Sequence, residues 1–332
     1  MRHRLVRACL AALLAAGWGR GQVSPMRSPS PRLAEPGSAD PLAEDVAAMD
    51  RPERKQPSFW HRPSATNAAA QLARGRAFEQ RGALRDATSA YLALVHAWHN
   101  ATEAPDAQWG AARTFEARRR YVRAFEEYRY LLAFFGERVP SGEVLARQMA
   151  IANHLREGHS RDRARGMYEE IARAAPHWSG TPEALLRAGA LYEDDGENEQ
   201  AALVYERLLS QAGQSPEAAA AAFRAAACRY RLARRYERDE AACARALSAL
   251  SLALRDYPDR PERDTAAQQL TELKNVRAQR QFEAAAFYER VRRDPQAAAA
   301  AYREFLRRFP DSAQAEAARD RLAALSPDGA AP

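Results

Sequence analysis

A four-residue signature that returns after 34 residues constrains this chain more than any other feature. Thr181-Pro182-Glu183-Ala184 is echoed by Ser215-Pro216-Glu217-Ala218. Each reads as a helix start: a hydroxyl residue to cap free N–H groups, a proline at the first helical position where no N–H is needed, and a carboxylate near the positive end of the helix dipole. Between the two starts, Leu185, Ala188, Gly189 and Tyr192 fall at i, i+3, i+4 and i+7, and Gly196 stands where a terminating glycine belongs. A second apolar stripe follows in Ala201, Tyr205, Leu208 and Leu209, with Glu197 and Glu199 at its start. Neither stripe can be buried by one helix pair alone, so the interval must stack against copies of itself.

The copies are legible. A small residue followed four positions later by an aromatic recurs as Ala87/Tyr91, Ala124/Tyr128, Ala164/Tyr168, Ala201/Tyr205 and Ala298/Tyr302, with Ala246/Leu250 as a degenerate member. The predicted fold is all-α: an α-solenoid of six helix pairs with a C-terminal capping helix over 312–325, and almost no strand. A stretch from Asp264 to Arg292 without Gly or Pro predicts one long helix. Alanine runs at 218–222 and 297–301 suit close packing of such helices.

The ends read differently. Residues 1–21 carry Arg2, Arg4 and Arg7 before the apolar run Ala8–Ala16, the pattern of a secretory signal peptide and too short to span a bilayer. Arg7 beside Cys9 argues against lipid attachment there. Residues 22–63 hold eight prolines and few large apolar residues, so a disordered proline-rich linker is expected, with Phe59-Trp60 docking on the first helix as a cap. The repeat domain is expected at 64–325 and a disordered tail at 326–332. The formal charge of +7 falls to +3 when Arg2, Arg4, Arg7 and Arg20 are set aside with the leader, and only Lys55 and Lys274 are lysine. That near balance argues against a nucleic-acid surface.

Catalytic patterns are missing: there is no phosphate-binding glycine loop, no His-Glu-x-x-His, no Cys-x-x-Cys, no Gly-x-Ser-x-Gly and no Glu-Ser pair. The chain is expected to be no enzyme and to need no cofactor. His96 and His99 share a helix face, but no third ligand stands at matching spacing, so no metal site is expected. The acidic turn Glu193-Asp194-Asp195-Gly196-Glu197 lacks the oxygen pattern of a calcium loop and reads as solvated.

The 34-residue period is that of the tetratricopeptide repeat. The long helix, Phe287-Tyr288, and Ala298-x-x-x-Tyr302-x-x-Phe305 running into Arg308-Phe309-Pro310-Asp311-Ser312 resemble the BamD-like family, periplasmic tetratricopeptide lipoproteins of outer-membrane assembly. The resemblance implies a non-enzymatic scaffold in the periplasm, peripheral at the outer membrane, that binds protein partners of barrel assembly. The Phe-Pro-Asp-Ser ending is shared with the Tol-Pal coordinating family, which leaves open an adaptor in division or peptidoglycan coordination. A regulatory subunit of an envelope enzyme is the third alternative.

In such a stack the first helix of each pair lines the concave face, and residues not consumed by packing are free to recognise a partner. Counting from Gly75, Ala112, Ala152 and Gly189, the outward positions are Arg76, Arg113, Asn153 and Ala190 and, a turn further on, Glu79, Glu116, Arg156 and Glu193; of these Arg76, Arg113, Asn153, Arg156 and Glu193, joined by Trp109, are the candidates for partner contact. Trp109 is either an interface anchor or packing between the first two pairs. Cys228 and Cys243 lie equally far from the turn at Arg235-Tyr236, so they form either a disulfide or two small core residues.

Overall fold

The computed structural model describes residues 40–158 and 160–325. The chain divides into units 1–39 and 40–332, and all described residues belong to the second. A short helix, α1 (Pro41–Ala47), precedes six antiparallel pairs. They are α2 (Ala68–Gln80) with α3 (Leu84–Ala97), α4 (Ala104–Ala117) with α5 (Tyr121–Phe135), and α6 (Ser141–Glu157) with α7 (Arg161–Ala174). The stack continues with α8 (Thr181–Asp194) and α9 (Asn198–Ala212), α10 (Ala218–Arg235) and α11 (Glu240–Asp256), and α12 (Arg263–Phe287) and α13 (Pro295–Arg308). The closing helix is α14 (Ala315–Leu325), and no strand occurs among the described residues. The fold is the α-solenoid that the repeat pattern predicts.

All twelve residues of the small/large series are fully buried, from Ala87 and Tyr91 through Ala246 and Leu250 to Ala298 and Tyr302. The reason is steric. Tyr91 on α3 lies so close to the first helices of its own and the following pair that a Cβ on Gly75 would stand 2.5 Å from one ring edge, and a Cβ on Gly110 would stand 2.7 Å from the other. Gly189 makes the same room for Tyr205. Glycine here permits contact between a ring and a helix backbone. The buried residues accordingly form clusters that succeed one another in chain order, the first three shared by neighbouring pairs and the last by the final pair and α14.

The turns inside the pairs repeat as well. Gly82 (φ 73°) and Gly196 (φ 77°) take the left-handed conformation after α2 and α8, closed by Ala83 N–H to Phe78 O and Glu197 N–H to Tyr192 O. After α4 the same geometry is held by Arg119 at φ 57°, without the freedom of glycine.

Several expectations are corrected. Thr181 does not cap α8: it is the first helical residue, and its buried hydroxyl donates to Ala175 O at 2.6 Å, a carbonyl past the end of α7 that also accepts Trp178 N–H at 3.1 Å. Ser215 does not cap α10, which starts three residues later. The last five residues of the expected long helix, Tyr288–Arg292, wind as a π turn ended by Arg293 in the left-handed region.

The largest correction concerns the expected linker, whose described part, residues 40–63, is bound to the repeats. Asp40 caps α1 through Leu42 N–H, and Val46 is buried where Gly136 leaves space for it. Asp45 accepts from His177 N–H at 2.7 Å, and Asp50 pairs with Arg173 at 3.2 Å. Phe59 and Trp60 do not dock, being 67% and 83% exposed. The neighbouring His61 stacks on His96 instead, with ring centroids 4.2 Å apart, and this leaves the aromatic pair outside. The expected leader at 1–21 and tail at 326–332 lie outside the described residues.

Candidate partner-binding surface

The first-helix row carries a repeated polar joint. Tyr91 Oη donates to Glu79 at 2.6 Å, and Arg113 of the next pair donates to both Glu79 oxygens at 3.0 Å. Tyr128 donates to Glu116 at 2.9 Å, with Arg147 of the next pair 3.7 Å away. Tyr168 donates to Asn153 Oδ1 at 2.6 Å, and Arg187 bonds the same oxygen. Tyr205 donates to Glu193 at 3.1 Å, which also receives Arg231 at 2.9 Å. In the last pair Tyr302 donates to Glu289 at 2.8 Å, and Arg321 of α14 lies at 3.4 Å.

Each joint ties a first helix, its own second helix and the element after them. The phenols feel it: burial, then the Glu289 hydrogen bond, push Tyr302 up to about 12. Each Tyr hydroxyl reaches past the buried ring to solvent-facing polar groups, which is how a bulky side chain with a polar tip sits at the core's edge.

Against this geometry the predicted row divides. Arg113, Asn153 and Glu193 are the donors and acceptors of the joints, so their polar groups hold successive pairs together. Trp109 is half-buried and packs against the core of the first pairs. Arg76 pairs with Asp106 at 2.8 Å, both more than half exposed, and among the described residues Arg156 forms an ion pair only with Glu157, at 4.0 Å. Exposed pairs of this kind hold with about 0–1 kcal/mol, which leaves both guanidinium groups available. Arg156, Arg161, Arg187, Ala190, Leu191 and Asp194 line an open notch of about 430 Å³. Sequence reasoning located the row and missed the joint. Its signal was the 12-residue step from Glu79 to Tyr91, Glu116 to Tyr128 and Glu193 to Tyr205.

Other candidates resolve by contact. The acidic turn is held by arginines of α7: Asp194 by Arg161, Asp195 by Arg165 at 2.9 Å, and Glu197 by Arg165 at 3.4 Å. His96 donates Nδ1–H to Gln56 O at 2.6 Å, while the buried His99 bonds Tyr130 Oη at 2.8 Å. Among the described residues no cluster of three or more His, Cys, Asp or Glu is arranged to hold a metal. Cys228 and Cys243 are buried free thiols, and burial pushes the Cys228 thiol up to about 11. No described helix is long and apolar enough to cross a membrane. At the far end of the stack Phe287, Tyr288 and Val291 are exposed together around the π turn, Val291 at 65%.

That end of the chain also carries a family match. Residues 178–326 match the family model described as an outer membrane lipoprotein, YfiO. The YfiO match spans α8 to α14 and so includes both the Glu193 and Glu289 joints. No curated protein matches the sequence. Among solved structures the chain is similar to YrrB, a tetratricopeptide protein with an unusual peptide-binding site (16% identity, 61% of this chain and 92% of that one, TM-score 0.30). It is similar also to pilF of Pseudomonas aeruginosa (16% identity, 76% and 96%, TM-score 0.28) and to a tetratricopeptide repeat protein of Parabacteroides merdae (12% identity, 78% and 98%, TM-score 0.31).

Proposed function

We propose that this chain is a non-enzymatic scaffold of the bacterial periplasm, peripheral at the outer membrane, that binds protein partners in outer-membrane protein assembly. The match of residues 178–326 to the YfiO family model carries the reading. The basic and apolar leader read in residues 1–21 supports export. The partner contacts the first-helix row, with Arg76, Trp109 and Arg156 as contact residues and Arg113, Asn153 and Glu193 holding the row in register.

Depletion of the chain in its own host tests the role. The expected result is a several-fold loss of folded barrel proteins, read as heat-modifiable bands, and unchanged barrel levels would sink the assembly reading. The surface is tested by Arg76→Glu with Arg156→Glu, which should cut capture of the partner from cross-linked envelopes several-fold and leave helicity unchanged. Undiminished capture would move the site to the Phe287, Tyr288 and Val291 patch.

A further inference from the structure

Residues 50–62 cross the second helices of the first three pairs in the direction opposite to the chain, from Arg173 on α7 to His96 on α3. One side chain enters the protein. Lys55 Nζ bonds Gln108 Oε1 at 3.0 Å and the Glu127 carboxylate, and lies 4.3 Å from the centre of the Tyr130 ring. Gln108 is fully buried, and Glu127 is 8% exposed. The two polar groups of the pocket are also bonded to each other. Gln108 donates its amide N–H to Glu127 O at 2.9 Å and to Glu127 Oε2 at 2.6 Å, which turns the amide oxygen towards the ammonium.

An acceptor carboxylate, an acceptor amide and a ring face suit a compact ammonium with three donors better than the wide planar fork of arginine. The occupant is one of only two lysines in a chain otherwise furnished with arginine. Two backbone groups complete the recognition, Lys55 N–H to Tyr130 Oη at 3.0 Å and Gln56 O from His96 Nδ1–H. An extended backbone held by two main-chain bonds and one buried side chain is how proteins bind exchangeable peptides. The flanking contacts are weak: Arg54 to Asn100 at 3.3 Å and Asp50 to Arg173 at 3.2 Å, both exposed. What favours the cis occupant is its tether, which supplies an effective concentration on the order of mM.

We propose that Glu127, Gln108 and Tyr130 form a receptor site for a lysine on an extended segment of a partner protein, and that residues 50–62 are a cis occupant which that segment displaces. The proposal deepens the scaffold reading and rests on it for the partner. The pocket is tested on the purified full chain alone, so its failure leaves the envelope-capture result standing.

The probe is a fluorescent synthetic peptide of residues 50–62, titrated by anisotropy. It should bind a Lys55→Met chain at least tenfold more tightly than the wild-type chain, and a peptide carrying Lys55→Met should not bind either. Binding to neither chain, or equal binding of both peptides, overturns the proposal. A second measurement uses the wild-type protein. Amine acylation should modify the exposed Lys274 well ahead of Lys55, and excess lysine peptide should raise the Lys55 to Lys274 ratio about fivefold while the Met peptide does not. An unchanged ratio overturns the proposal. So does a concentration-dependent dimer lost on Lys55→Met, which would assign the pocket to a second copy.

Discussion

Replacing Gly110 and Gly166 by alanine, one at a time, is the same chemical change in two helices, and the structure predicts opposite signs. A Cβ at Gly166 meets nothing within 4 Å on the exposed side of α7. Relief of the glycine penalty should stabilise the chain by about 0.5–1 kcal/mol. At Gly110 the added Cβ stands 2.7, 2.8 and 2.9 Å from three atoms of the Tyr91 ring. The ring has nowhere to go: Gly75 touches its other edge, its hydroxyl is tied to Glu79 at 2.6 Å, and it is fully buried. Overpacking of this kind costs about 1–3 kcal/mol, and a caged ring belongs near the top of that range. After the helix-propensity gain of about 1 kcal/mol, Gly110→Ala should remain destabilised by about 1–2 kcal/mol. The two substitutions should therefore differ by about 1.5–3 kcal/mol. Urea unfolding followed by circular dichroism reads the difference, with the midpoint falling for Gly110→Ala and rising for Gly166→Ala. A Gly110→Ala midpoint equal to or above wild type would refute the ring-on-backbone account of the repeat.

Arg119 holds a left-handed φ that costs a side-chain residue roughly 1–2 kcal/mol. Arg119→Gly should raise stability by about 0.5–1 kcal/mol after the entropy of glycine is subtracted, and a lower urea midpoint would contradict the turn. Tyr192 and Tyr302 are both pushed up to about 12 from an ordinary 10.0, first by burial and then by a carboxylate hydrogen bond. Raised folded values mean that their stabilisation is whole below pH 10 and is lost as pH climbs towards 12. Phenolate absorbance should rise together with loss of helicity in that window, and ionisation of Tyr302 near pH 10 in an intact helical chain would refute the Glu289 joint. A Cys228 thiol near 11 against the ordinary 9.0 should be alkylated at pH 8 about 100-fold more slowly in the folded than in the unfolded chain. Comparable rates would place that thiol outside the core.

The sequence by itself determined the number of helix pairs, their order and their register. Each pair writes its own packing locally: an apolar stripe at helical spacing, a turn residue, and an alanine four positions before a ring. Those signals lie within one pair, at separations that a single helix period or the 34-residue repeat can reveal, and Ala246/Leu250 was readable even without its aromatic. The boundaries were less legible because polar starts compete. Thr181 has the residue type of a cap, yet its hydroxyl is claimed by Ala175 O across the previous loop.

Only the tertiary structure decided what joins the pairs and what lies over them. Arg113 reads as a free surface cation until α4 is laid beside α2 and brings it to Glu79, 34 positions earlier. The lead segment reads as unstructured because its composition offers too little apolar surface to fold alone. Over residues 40–63 its contacts come from groups far along the chain: Tyr130, Glu127 and Gln108 for Lys55, Arg173 for Asp50, and His177 for Asp45. Such contacts leave no periodic trace, since neither partner's neighbours record the other. For Lys55 the reason is that stacking the first pairs buries the Glu127 carboxylate, whose desolvation a paired cation offsets.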